Sequence, residues 1–78
     1  MTKELVEYVV KQLVNKPEAA SVSVTKTNDK TLIEISVDEA DRGKVIGRAG
    51  QTIKALRMLV SAIVTDDKKI SVDLVKES

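Results

Sequence analysis

The sequence predicts a small α+β domain with the element order α-β-β-α-α-β, in which a three-stranded mixed sheet carries the helices on one face. Three observations lead there. Apolar residues recur every three or four positions over 3–15 and 51–65, the spacing of amphipathic helices. They alternate with polar residues over 20–27, 31–37 and 70–75, the spacing of half-buried strands. A strand followed by a helical crossover and another strand normally returns the chain parallel to the first strand. At 78 residues the chain has room for a single domain, taken as 1–78, with a thin core.

Thr2 is a plausible N-cap for the first helix, in which Leu5, Val6, Val9, Val10, Leu13 and Val14 form one face. Tyr8, at the edge of that face, reads as a packing residue. Asn15-Lys16-Pro17 is a stop, because Asn tolerates a left-handed cap and Pro disfavours helix in the residue before it. Ala20, Val22 and Val24 then point one way and Ser21, Ser23 and Thr25 the other. The turn chemistry of Asn28-Asp29-Lys30 leads into a second strand with Ile33, Ile35 and Val37 inward, so the two should form a hairpin. Asp38, with Asp41 three residues on, gives a capping-box-like start to a short helix through Ile46. After Gly47-Arg48-Ala49-Gly50 a second helix runs from Gln51 to Thr65. Asp66-Asp67-Lys68 makes a turn, and Ile70, Val72 and Leu74 alternate with Ser71, Asp73 and Val75 in the last strand.

Composition removes whole classes of chemistry. Cys and His are absent, which excludes disulfides, Cys/His zinc sites, Cys–His nucleophiles and a histidine base. No catalytic pair and no cofactor or metal site is expected. Asp38, Glu39 and Asp41 lie close together, but Asp38 and Asp41 have caps to make. No apolar run approaches a membrane span or a signal-peptide core, so a cytoplasmic protein is expected. Tyr8 is the sole aromatic residue, which counts against nucleic-acid modules that stack bases on rings. The net charge of +1 hides a division: residues 1–41 carry −3, residues 42–65 carry +5 with no acid, and residues 66–78 carry −1.

That basic segment surrounds the most specific feature, Val45-Ile46-Gly47-Arg48-Ala49-Gly50-Gln51 with Ile53 and Leu56 beyond it. Two glycines three apart between helices let backbone approach a ligand closely. The helix that begins after Gly50 turns its unsatisfied N–H groups and positive dipole end to the same place, so an anion is the natural guest. Arg48 adds a charge at the tip, and Lys44, Lys54 and Arg57 extend it. A nucleotide-binding loop fits poorly, because no Gly-Lys-Ser/Thr follows and the preceding element reads as a helix.

These residues resemble the KH family, whose signature is an apolar pair, Gly-x-x-Gly, then apolar residues three and six positions on. The helix and strand ahead of the βααβ core resemble the type II topology. The resemblance implies that residues 47–50 clamp the backbone of about four nucleotides of single-stranded RNA. It further implies a binding set of Lys44, Val45, Ile46, Gly47, Arg48, Ala49, Gly50, Gln51, Lys54 and Arg57, with Val45 and Ile46 as groove walls. More narrowly, Asp41-Arg42-Gly43-Lys44-Val45-Ile46-Gly47 and Ala55-Leu56-Arg57 resemble the small stand-alone bacterial KH proteins of the KhpA family. That likeness implies a cytoplasmic RNA binder, a homodimer, pairing with a larger KH-containing partner, KhpB, and a link to cell shape and envelope growth.

The 51–65 helix has an apolar arc wider than one sheet face covers. Ile53, Leu56, Val60, Ile63 and Val64 cluster on one side, and Ala55, Met58, Leu59 and Ala62 continue the arc. The second group is either core or a subunit interface. Two other functional readings stand beside RNA binding: a protein-interaction module with a vestigial loop, and a single-stranded DNA binder, since a phosphate clamp does not see the sugar.

Overall fold

The structure, a computed structural model, describes residues 2–63 and 69–75. Its elements are α1 (Thr2–Leu13), β1 (Ser21–Lys26), β2 (Lys30–Ser36), α2 (Arg42–Ile46), α3 (Gln51–Ile63) and β3 (Lys69–Leu74). Short 3-10 turns occupy Pro17–Ala19, Glu39–Asp41 and Arg48–Gly50. The sheet order is β1-β2-β3. β1 runs antiparallel to β2 and β2 parallel to β3, so the sheet is mixed, as the hairpin and crossover patterns require.

Register follows from the alternation. Val22 and Val24 stand beside Ile35 and Ile33 on one flank of β2, and Leu74 and Val72 beside the same two residues on the other. These side chains, with Thr31 and Val37, form the core-facing side of the sheet, on which Val24 and Leu74 are only partly buried. Val6 and Val10 of α1, Val45 of α2, and Leu56 and Val60 of α3 complete one core against it. The opposite face carries Ser21, Ser23, Thr25, Glu34 and Asp73, which suits solvent.

The hairpin closes through the Thr27 N–H, which donates to the Lys30 carbonyl at 2.8 Å. Beyond the strands proper, the Lys69 N–H donates to the Asp29 carbonyl at 3.1 Å and the Val75 N–H to the Ile35 carbonyl at 2.8 Å.

Four sequence expectations change. α1 ends at Leu13, and the stop is not a left-handed Asn, since Ala49 is the one non-glycine residue at positive φ among the described residues. The proline half of the stop holds, since Lys16 before Pro17 sits at φ −119° and ψ 73°, outside helix. A carboxylate from elsewhere takes up the N–H groups just past the helix: Asp41 accepts the Asn15 N–H at 3.1 Å and the Lys16 N–H at 3.0 Å. Asp41 is therefore not the second half of a local capping box. Asp38 does cap, accepting the Ala40 N–H at 3.0 Å, but the helix it opens is a 3-10 turn followed by α2. Tyr8 is 65% exposed rather than packed, because Val6 and Val10 turn the core-facing side of α1 away from it. Val64, Thr65 and the 66–68 turn lie outside the described residues.

Candidate nucleic-acid interface

α2 has five residues, too few to hold itself together as an isolated helix, so tertiary contacts must place it. Val45 is fully buried and anchors it in the core. Arg42 Nη1 donates to the Val75 carbonyl at 2.8 Å, tying the start of α2 to the end of β3. Asp41, just before α2 and 1% exposed, ties the same point to the end of α1. Burial pushes the Asp41 carboxyl up, but the Asn15 and Lys16 N–H donors and the Lys44 ammonium outweigh it and hold the group below its ordinary value.

α2 ends where Gly47 turns to φ 76° and ψ 173°, which carries the chain out of the helix axis. Ala49 follows at φ 56° and Gly50 at φ 74°. Three of four consecutive residues thus sit at positive φ, and the turn from α2 to α3 is correspondingly tight. Gly47 is required twice, by its φ and by Thr52, whose backbone nitrogen would stand 2.8 Å from an added Cβ. Gly50 is required by φ alone, since open space lies around its Cβ position.

The donors at the tip differ from the sequence picture. The Gly47 N–H donates to the Gly43 carbonyl at 2.9 Å and the Gly50 N–H to the Gly47 carbonyl at 3.1 Å, so neither glycine N–H faces a ligand. The Gln51 N–H is likewise used, by the Arg48 carbonyl. Arg48 and Ala49 open the 3-10 turn, so their N–H groups precede any carbonyl they can reach within it. Both residues are exposed.

The cations divide. Arg42 is committed to Val75, and the Lys44 ammonium sits 3.7 Å from Asp41. Arg48, Lys54 and Arg57 are exposed and join none of the ion pairs among the described residues. Of the two residues read as groove walls, Val45 has no exposed surface and supports the loop from beneath, whereas Ile46 is exposed. Gln51 is exposed at the first turn of α3.

The wide arc of α3 splits. Leu56 and Val60 are buried and Ile53 packs against the core. Met58 is 72% exposed, with Leu59, Ala55 and Ala62 also open, so this part of the arc is not core within the chain, and Ile63, expected on the core side, is exposed as well. A shallow hollow lined by Lys54, Arg57, Met58, Ser61 and Ala62 joins the basic and apolar sides. Sequence reading missed the ties made by Asp41 and Arg42, and no local signal marks them, since their partners lie 25 to 33 positions away.

Two parallel strands joined through helix, Gly-x-x-Gly turn and helix, with a further helix and strand ahead, have the build of a type II KH domain. A family model described as KhpA/KhpB, KH domain matches residues 3–75. The chain belongs to the KhpA/KhpB KH-domain family. The RNA-binding protein KhpA of Chlamydia trachomatis serovar D is 40% identical over 76 residues, which cover 96% of this chain and 97% of that one. Its counterpart in Thermotoga maritima is 40% identical over 74 residues, covering 95% and 99%. That of Streptococcus pneumoniae serotype 4 is 33% identical over 70 residues, covering 90% and 89%. No solved structure gives a significant match.

Proposed function

We propose that the protein binds single-stranded RNA in the cytoplasm, without catalysis, as a single KH domain that acts as a homodimer. The observation that carries this is the exposed 48–49 tip, where two backbone N–H groups and Arg48 meet the N-terminal end of α3. Lys54 and Arg57 extend the positive charge along α3 with no carboxylate neutralising them among the described residues. Gln51, Lys44 and Ile46 border the same loop. The matched relatives bear the name RNA-binding protein, which favours RNA over DNA as the ligand. The groups at the tip recognise phosphate, so affinity comes mainly from the backbone of the strand.

A specific observation supports self-association. The apolar band Ala55, Met58, Leu59 and Ala62 is solvent-facing in the single chain, and a second copy or a KhpB-like KH partner would cover it.

The test is the double substitution Arg48→Asp with Ala49→Asp. It replaces attraction by repulsion at the tip, and Asp tolerates the left-handed backbone at 49. RNA binding is expected to collapse while circular dichroism and melting stay near wild type. Unchanged affinity in the folded double variant would overturn the clamp and leave the interaction-module reading in its place.

A further inference from the structure

We infer that Asp41 and Arg42 are positioning residues for the loop, setting its affinity for RNA without touching RNA. The inference rests on the reading of residues 47–50 as the clamp.

The helix that presents the loop is five residues long, about 7.5 Å at 1.5 Å per residue. Val45 is the one buried side chain of α2, so side-chain packing by itself fixes the helix at a single point and sets its direction weakly. The two adjacent residues at its start fix that direction by bonding to two different elements. Asp41 reaches the Asn15 and Lys16 N–H groups where α1 ends, and Arg42 reaches the Val75 carbonyl where β3 ends. Asp41 uses both carboxylate oxygens on these N–H groups and is 1% exposed, so it offers nothing to a ligand. Arg42 places its guanidinium on a backbone carbonyl rather than in the exposed basic track. The Gly47 N–H then bonds back to the Gly43 carbonyl at 2.9 Å, so the placement of α2 passes directly to the loop. A clamp whose loop is correctly placed in only a tenth of molecules binds about tenfold more weakly, with the same contacts in the complex.

Charge and position predict opposite signs at Asp41, which makes the inference testable. Asp41→Asn removes a negative charge beside Lys44 and raises the net charge of the protein, so electrostatics alone strengthens binding to a polyanion. An asparagine side chain presents one acceptor where the site needs two, so positioning predicts weaker binding. Affinity for a single-stranded RNA oligonucleotide is measured on the full chain by fluorescence anisotropy across a salt series, at a temperature where circular dichroism finds each variant folded. Asp41→Asn is expected to bind about tenfold more weakly. Arg42→Gln is expected to bind more weakly with the wild-type slope of log affinity against log salt, whereas Arg48→Gln should lower that slope by about 0.7. In the free Asp41→Asn and Arg42→Gln proteins the amide resonances of Gly47, Ala49 and Gly50 should shift. Equal or tighter binding by folded Asp41→Asn overturns the proposal, as does a slope in Arg42→Gln reduced as in Arg48→Gln. If Asp41→Asn does not fold, Arg42→Gln decides by its slope and loop resonances. Failure of the wild type to bind RNA would instead overturn the clamp reading itself.

Discussion

A Cβ built on Gly47 overlaps Thr52 Oγ1 and lies 2.7 Å from Thr52 Cβ, while one built on Gly50 meets nothing within 4 Å. Both residues have positive φ, 76° and 74°, so both substitutions carry a backbone cost, and that of Gly47, whose ψ of 173° places it in a region almost reserved for glycine, is about 1–3 kcal/mol. Only Gly47 adds a steric collision with a side chain whose backbone is fixed in α3. Gly50→Ala is therefore expected to destabilise by about 1 kcal/mol and Gly47→Ala by clearly more, in urea unfolding monitored by circular dichroism. Equal losses would mean that Thr52 moves aside freely. The motif spacing identified both glycines, but the Thr52 contact depends on how α3 folds back over the loop.

Asp41 joins α1 to α2, and its titration should be visible in stability. Its carboxyl lies below its ordinary value of 3.8, chiefly because two N–H donors and Lys44 outweigh the upward push of burial. A carboxyl with a depressed folded pKa contributes stability that is fully present above the ordinary value and lost as pH falls through the folded value. The wild type should thus lose stability as pH drops below 3.8, and Asp41→Asn should be less stable at neutral pH with a flatter profile in that window. Thermal melts across the acid range measure both. A wild-type profile matching that of Asp41→Asn would remove the tie. The local pattern placed Asp41 in a capping box with Asp38, and Asp38 does cap. Nothing in that pattern tells Asp41 apart from a helix-starting acid, because its donors sit at the end of another helix.

For the molecule as a whole, the deciding feature is the part of α3 that the sheet leaves uncovered. Met58 and Leu59 are exposed in the single chain, so a charge there need not be buried on folding. Met58→Lys and Leu59→Lys are expected to leave monomers with near wild-type secondary structure, while the wild type sediments as a dimer, because a lysine inside an apolar interface is an unpaired buried charge. Sedimentation equilibrium decides, and a wild-type monomer at high concentration defeats the dimer. The same face borders Lys54 and Arg57 across a common hollow, so the two roles proposed for α3 meet along one helix.

The sequence by itself determined the order of elements, the inward side of each strand, the hairpin and the place of the Gly-x-x-Gly turn. Each of these is written in local periodicity or in residues such as Gly47 and Gly50 that answer to backbone geometry nearby. Tertiary structure alone decided that Asp41 fastens the end of α1 to α2, that Arg42 is a tie rather than a free cation, and that Val45 is core while Ile46 is open. It also divided the apolar arc of α3, burying Leu56 and Val60 and leaving Met58 outside. The roles of Asp41 and Arg42 depend on which neighbour arrives from 25 or more positions away, and the burial of the others on how the helices seat against the sheet; hydrophobicity or charge at one position carries no record of either.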